Sequence, residues 1–131
     1  MFAEENEVSL KSNGGTEITK RSLAQYFDPD LTQHFQIIPS RVREIQEDKI
    51  RIYWAHDLPG DPECDKAMNQ RDNFHLMVFS SNWQLQQFLA HYKFPMDSRV
   101  AVIETPIEPL HPKKAFGDKI NLTYFSTPQR G

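Results

Sequence analysis

The amino-acid sequence predicts an α/β fold in which helices flank a mainly parallel β-sheet. Short runs rich in β-branched and aromatic residues recur along the chain, and polar or proline-containing turns bound each of them. Between these runs lie segments whose apolar residues repeat with helical spacing. Helices that alternate with short apolar strands are typical of parallel sheets, so these two observations together indicate the class.

The first predicted helix spans residues 16–27. Its inner face is expected to consist of Thr19, Leu23, Tyr26 and Phe27. The cluster Asp28-Pro29-Asp30 is expected to end it, since proline does not continue a helix.

The second predicted helix begins at Ser81 or Asn82. Its apolar residues fall at positions i, i+3, i+4 and i+7, namely Leu85, Phe88, Leu89 and Tyr92. Ser81 and Gln84 have the spacing of a capping box, and Pro95 follows the last turn. Residues 62–71 lack a clear apolar stripe, so they are predicted to form a loop with at most one helical turn.

Five runs are predicted to be strands, and a sixth is a weaker candidate. The five cover residues 35–38, 50–55, 76–79, 100–103 and 120–125, and the weaker one covers residues 8–10. In residues 120–125 apolar and polar side chains alternate, so one face of that strand is apolar. Such a strand is expected either to join the sheet of its own domain or to pair with a second copy in a homodimer.

Length and charge limit the possible partners. The chain has 131 residues, enough for one domain, and its formal charge of -3 provides no basic surface for nucleic acid. Residues 1–6 contain two glutamates and no apolar run, which argues against a signal peptide. Because no stretch approaches the roughly 20 apolar residues that span a bilayer, a soluble, cytoplasmic protein without a transmembrane segment is expected.

Cys64 is the one cysteine, which fits a reducing compartment. Its neighbours Asp61, Glu63 and Asp65 are expected to raise the pKa of the thiol and suppress the thiolate. A catalytic role for Cys64 is therefore not favoured.

Gly14 and Gly15 stand directly before the first predicted helix. Glycine allows close approach to the backbone, and a helix N-terminus favours an anion such as phosphate. The alternative is a plain glycine turn that leads into the helix.

His56 and Asp57 follow the strand predicted at residues 50–55. Ligands of open α/β sheets bind beyond the carboxyl ends of the strands, where His56 could bind a hydroxyl group or act as an acid or base. Alternatively, His56 satisfies a local backbone carbonyl. Together with Asp61 and Glu63 these residues match no known metal-binding spacing, so no metal is expected.

A third polar turn, at Ser81 and Asn82, follows the strand at residues 76–79. Capping of the next helix explains Ser81, whereas Asn82 fits either a cap or a site. Residues 104–109 contain two prolines and are typical of a connection between two structural units.

In this order, four segments resemble the retaining glycosyltransferases of the family 4 type. They are the Gly-Gly-Thr-Glu loop at residues 14–17, the strand Ile-Tyr-Trp-Ala-His-Asp at 52–57, the strand and helix start Val-Phe-Ser-Ser-Asn-Trp-Gln at 78–84, and the strand Val-Ala-Val-Ile-Glu-Thr-Pro-Ile at 100–107. The resemblance covers nearly the whole chain.

The resemblance implies a Rossmann-like domain over residues 1–112, which is the N-terminal half of a two-domain GT-B architecture. Residues 113–131 would form the connection and the first strand of the second domain. Such enzymes transfer a sugar from a nucleotide-sugar to an acceptor, which the sequence does not identify, usually without a metal or another cofactor. The half domain would be incomplete alone.

The resemblance also implies roles for individual residues. Gly14, Gly15, Thr16 and Asn82 would bind the donor, whereas His56 and Asp57 would be the catalytic residues. Two other functions stay open. One is a non-catalytic binding or scaffold module that retains the half-fold, and the other is a small nucleotide-binding protein of unrelated ancestry.

Overall fold

Four parallel strands form one sheet, and their order in space follows their order in the chain. The computed structural model describes residues 15–104. In this range the strands are β1 (Phe35–Pro39), β2 (Ile50–Ala55), β3 (Leu76–Phe79) and β4 (Val100–Val102). β2, β3 and β4 each pair in parallel with the strand before them, from Phe35 opposite Ile50 to Phe79 opposite Val102.

Four α-helices accompany the sheet in the described part of the chain. They are α1 (Gly15–Tyr26), α2 (Pro29–Thr32), α3 (Pro62–Asn69) and α4 (Asn82–Tyr92). A short 3₁₀ turn, Arg71–Asn73, follows α3. The predicted α/β class with a parallel sheet is therefore confirmed.

Four predicted strands and both predicted helices lie where expected, within about two residues at each end. The inner stripe of α4 is also confirmed, with Leu85 and Phe88 buried and Leu89 and Tyr92 packed beside them. The strands predicted at residues 8–10 and 120–125 lie outside the described residues. So does the boundary between residues 112 and 113, and the homodimer through residues 120–125 stays a prediction.

The prediction of a loop between residues 62 and 71 is wrong, because α3 occupies eight of them. Asp61 caps α3, since its Oδ1 accepts a hydrogen bond of 2.8 Å from the backbone N–H of Glu63. Proline at the first helical position adds a fixed φ. The buried stripe is Cys64, Ala67 and Met68. These side chains are small or flexible and stand among charges, so the stripe is inconspicuous in the sequence.

Two details of the first helix also differ from prediction. Tyr26 is 70% exposed and Phe27, which follows the last residue of α1, is 42% exposed, so neither is buried on the inner face of α1 as predicted. Asp28 also does more than follow the end of the first helix, because it caps α2. Its Oδ1 accepts a hydrogen bond of 2.9 Å from the N–H of Asp30. The short α2 leads the chain from α1 into β1, and Tyr26 is the last residue of α1.

The two faces of the sheet bury different sets of side chains because residues alternate along each strand. On the α4 face, Tyr53, Ala55, Met77 and Phe79 pack with residues of α3 and α4. On the α1 face, Ile37, Ile52, Trp54, Leu76 and Val78 pack with Leu23 of α1.

Candidate functional site

The carboxyl ends of β1, β2 and β3 lie at one edge of the sheet, and polar residues follow each of them. Ser40 follows β1, His56 and Asp57 follow β2, and Ser80 follows β3. Hydrogen bonds connect these turns to one another, directly from Ser40 to His56 and through the side chain of Gln84 from Ser80 to Asp57. This edge is where ligands bind in open α/β sheets.

Ser40 holds the main chain at His56. The Oγ of Ser40 accepts a hydrogen bond of 3.1 Å from the backbone N–H of His56. In turn, the N–H of Ser40 donates to the carbonyl of Trp54 at 2.9 Å. Ser40 is buried and has a φ of 59°, a left-handed conformation that is uncommon outside glycine. Sequence reasoning missed this residue, because neither its conformation nor its contact across two strands leaves a sequence signal.

The imidazole of His56 lies on the α1 face and is largely enclosed. Its ring centroid is 5.2 Å from that of Trp54, two residues earlier on the same strand face. The Nε2 of His56 and the Nε1 of Trp54 are both buried, and neither has a hydrogen-bond partner among residues 15–104. Buried polar atoms in proteins are nearly always paired, so two neighbouring exceptions indicate a place where a ligand could supply the partners.

The first turns of α1 carry charges that act on His56. Burial lowers the pKa of His56, and the nearby ammonium of Lys20 lowers it further, whereas the carboxylates of Asp57 and Glu17 act in the opposite direction. Lys20 is itself buried, and burial lowers its pKa against the effect of Glu17. Neither Glu17 nor Lys20 was predicted to act at the site, since both stand in a polar segment.

The residues predicted to bind a donor are described only in part. Gly15 is the first residue of α1 and is exposed, and Thr16 beside it is half-buried. Because Glu17 and Lys20 influence His56, the beginning of α1 lies on the same side of the sheet as that histidine. Gly14 lies outside the described residues.

Gln84 ties the turn after β2 to the start of α4. Its Oε1 accepts hydrogen bonds of 2.9 Å from both the N–H and the Oγ of Ser80. Its Nε2 donates to the carbonyl of Asp57 at 2.9 Å and to that of Ala55 at 3.3 Å. The side chain is 5% exposed. It therefore fixes the backbone on both sides of His56, a role that the capping-box pattern did not predict.

Ser81 caps α4 as expected, since its Oγ accepts a hydrogen bond of 3.1 Å from the N–H of Gln84. Asn82, the first residue of α4, is exposed beside this cap. The exposed indole of Trp83 follows it. Asn82 is thus exposed at the start of α4, two residues before Gln84, whose side chain donates to the carbonyl of Asp57.

Cys64 is not a nucleophile in this arrangement. Its thiol is buried under the sheet, and the hydroxyl of Tyr53 lies 4.0 Å from its Sγ. Burial is the main cause that raises the pKa of Cys64 to about 11, and the carboxylates of Asp57, Asp61 and Asp65 add to it. The predicted direction is confirmed, although burial and not the acidic neighbours dominates.

Within residues 15–104, no three histidine, cysteine or acidic side chains are grouped closely enough to hold a metal ion. None of the helices described has the length and apolar character needed to cross a membrane.

No protein-family model, no curated protein and no solved structure matches the chain. The residues around His56, at the carboxyl ends of the strands, are therefore the basis for assigning a function.

Changing His56 to glutamine is expected to flatten the dependence of stability on pH. The pKa of His56 is lowered in the folded protein, so the unfolded state binds more protons below about pH 6.5. Stability from the neutral imidazole is complete above that pH and is lost as the pH falls through the folded pKa. Urea unfolding between pH 7 and 5 should show a smaller loss for the variant. His91→Gln, an exposed change on α4, should keep the wild-type slope, and equal slopes for all three proteins would contradict the assignment.

Proposed function

We propose that the chain is the Rossmann-like, N-terminal half of a GT-B glycosyltransferase that transfers a sugar from a nucleotide-sugar to an acceptor. One observation carries the proposal, namely the enclosed and unpaired Nε2 of His56 at the carboxyl edge of a parallel sheet. In such a sheet this edge is the ordinary place for a ligand. A sugar hydroxyl is a suitable partner, because it both donates and accepts hydrogen bonds.

Different residues at this edge bind different parts of the substrate. His56 binds a hydroxyl of the transferred sugar, and Asp57 lines the same cleft. The N-terminus of α1 offers free N–H groups and the positive end of the helix dipole to the donor diphosphate, near Gly14, Gly15 and Thr16. Asn82 lines the cleft at the start of α4. The nucleotide-sugar is the substrate, and the proposal requires no metal or other cofactor.

The half domain is expected to bind a donor weakly and to transfer no sugar. A second domain, beginning within residues 113–131, would supply the remaining groups. Holding reactants in one geometry can lower a barrier by roughly 7–11 kcal/mol, and one half alone forfeits most of that. A single cysteine fits action in the cytoplasm.

The alternative is a binding or scaffold module that retains the half-fold without catalysis. The same unpaired Nε2 would then serve recognition alone, and a protein with both domains would transfer no sugar. Sugar transfer by the longer protein, when residues 1–131 are joined to a second domain, separates the two functions.

Titration with UDP-glucose, GDP-mannose and ADP-glucose tests the proposal. We expect at least one of them to shift the ring signals of His56 in NMR spectra, with saturation in the millimolar range, where the binding free energy is about -4 kcal/mol. His56→Phe keeps an aromatic ring but removes the hydrogen bond. Followed through the backbone amide signals of residues 56 and 57, it should weaken binding by about tenfold, which corresponds to about 1.4 kcal/mol.

His91→Phe on α4 is the matched control, because His91 is exposed away from this edge. It should bind as the wild type does. Two results would overturn the proposal: no saturable shift with any of the three donors, or equal binding by the His56→Phe variant. Robust sugar transfer by the purified 131-residue chain would instead show that the half domain is complete.

A further inference from the structure

A cleft of about 300 Å³ lies between the C-terminal ends of α3 and α4. Both helices begin beyond the carboxyl end of one strand and lead into the next strand, so the cleft lies at the amino ends of the strands, away from His56. The half-buried Tyr92 and the exposed Pro95 line it with apolar surface, and the charged residues that line it are Arg71 and Lys93. Pockets for small molecules commonly measure about 300–1,000 Å³ and combine apolar walls with a few polar groups. We call it the α3–α4 cleft.

The guanidinium of Arg71 has unused hydrogen-bond donors. Its side chain is 25% exposed, and its Cζ lies 5.6 Å from the centroid of the buried Phe94 ring. Its Nε is 3.8 Å from Oδ1 of Asp72, which is too far for a hydrogen bond. A guanidinium has five N–H donors, and within residues 15–104 those of Arg71 have no acceptor. Unlike the buried unpaired nitrogens of the candidate site, these nitrogens are open to solvent.

The carboxylates beside Arg71 pair mainly with Arg99. The Nη2 of Arg99 lies 3.0 Å from Oδ2 of Asp97, and its Nη1 lies 3.5 Å from Oδ1 of Asp72. Hydrogen bonds from Arg99 are the main cause that lowers the pKa of Asp97, and the charge of Arg71 is the weakest of the causes that lower it. The positive charge of Arg71 is therefore only partly compensated within residues 15–104.

Lys93 carries the second positive charge, and its backbone has a conformation that favours glycine. It ends α4 with φ 52° and ψ 35°, and its N–H donates to the carbonyl of Leu89 at 2.9 Å. A residue with a Cβ is strained in this left-handed conformation, which is why glycine is usual at such helix ends. The ammonium has no ion pair or hydrogen bond in the described part of the chain. Strained residues cluster at binding sites, so the conformation of Lys93 indicates a role in recognition.

The ends of two helices make the cleft better suited to one negative charge than to two. The negative ends of the α3 and α4 dipoles attract cations, which accounts for the presence of Arg71 and Lys93. Among residues 15–104, however, neither side chain donates to a helix carbonyl. At the end of α3 that bond comes from Gln70, whose Nε2 lies 3.3 Å from the carbonyl oxygen of Lys66. The donors of both cations are thus left for a ligand, and the helix ends disfavour a dianion such as phosphate.

We propose that the α3–α4 cleft binds a small aromatic carboxylate. The carboxylate group pairs with Arg71 and Lys93, because a guanidinium matches a planar carboxylate with two parallel hydrogen bonds. The ring of the ligand lies against Tyr92 and Pro95. The hydroxyl of Tyr92 already donates to Oδ1 of Asp65 at 2.7 Å, so this tyrosine offers the ligand its ring. The site is separate from the candidate site and does not depend on the proposed function.

Titration of the 131-residue chain with benzoate tests this site. We expect saturable shifts of the backbone amide signals of Lys93 and Phe94 in ¹H–¹⁵N spectra, with saturation in the millimolar range. Benzamide has the same ring without the charge, and acetate has the charge without the ring. At constant ionic strength each should bind at least about tenfold more weakly than benzoate, because benzamide loses the ion pair with Arg71 and acetate loses the contact with Tyr92.

Two substitutions separate binding from stability. Lys93→Gly removes a cation and relieves the left-handed strain, so it should weaken benzoate binding about threefold while raising the urea concentration at the unfolding midpoint. Arg71→Gln should weaken binding by at least about tenfold. Lys66→Gln is the matched control, because Lys66 is an exposed cation of α3 that does not line the cleft. It should bind benzoate as the wild type does.

The proposal is overturned if benzoate produces no saturable shift, or if benzamide binds equally well. It is also overturned if the folded Arg71→Gln and Lys93→Gly variants both bind benzoate as the wild type does, because the two cations would then serve only the helix ends. Far-UV circular dichroism shows whether each variant keeps the fold. If Arg71→Gln unfolds, Lys93→Gly and the comparison of the ligands decide. The donor titration at His56 reports separately on the proposed function.

Discussion

Replacing Phe88 with alanine is expected to lower the free energy of unfolding by about 3–5 kcal/mol. Phe88 is fully buried on α4, and its ring meets that of Phe79 edge-on, with centroids 5.0 Å apart. The substitution removes the apolar surface that joins α4 to the centre of the sheet and leaves a cavity in its place. Urea or thermal unfolding, followed by circular dichroism, measures the loss.

Gln87→Ala is the matched control, because this neighbouring side chain on α4 is exposed. It should change stability by less than about 0.5 kcal/mol. A loss below about 1 kcal/mol for Phe88→Ala would mean that α4 does not hold the sheet as described.

Changing Gln84 to leucine is expected to cost about 2–4 kcal/mol, because each lost hydrogen bond costs on the order of 1 kcal/mol when it leaves buried groups unpaired. The groups affected are the N–H and the hydroxyl of Ser80 and the carbonyls of Ala55 and Asp57. Leucine has a similar volume, so packing changes little. The cap from Ser81 uses the backbone N–H of residue 84 and survives the change.

The same variant should also alter the candidate site. Once the carbonyls on both sides of His56 lose their donor, the backbone amide signal of His56 is expected to shift in ¹H–¹⁵N spectra. Gln86→Leu, an exposed change on the same helix, should leave both stability and that signal near their wild-type values. An unchanged His56 signal in the folded Gln84→Leu variant would remove the anchoring role.

The regular elements could largely be predicted from the sequence because their signals are local. α4 has an apolar stripe and a serine cap within one short segment. The strands are short apolar runs between turns. The run that forms β2 ends at Ala55, which places His56 just beyond its carboxyl end. α3 shows the limit of this reasoning, because Cys64, Ala67 and Met68 are buried through contacts with distant parts of the chain.

The residues that shape the site depend on contacts between distant segments, so the sequence did not reveal them. Ser40 reaches His56 from the end of a different strand. Gln84 reaches Asp57 from a helix that begins after the next strand. Lys20 is buried only because α1 lies against the sheet. In the sequence each of these three residues stands in an ordinary polar segment. Its role depends on which strands and helices lie beside it in the fold.

The sequential order of the strands has a consequence for how the protein is made. Every strand of the described sheet pairs with the strand that precedes it in the chain, so no strand has to wait for a distant segment. Pairing of consecutive strands keeps each closed loop shorter than pairing of non-consecutive strands would, which lowers the entropic cost of closing it. During synthesis, which proceeds from the amino terminus, we expect β1, β2 and β3 to assemble in turn. The edge that carries Ser40, His56 and Gln84 would then be complete when α4 docks, before β4 leaves the ribosome and joins the sheet.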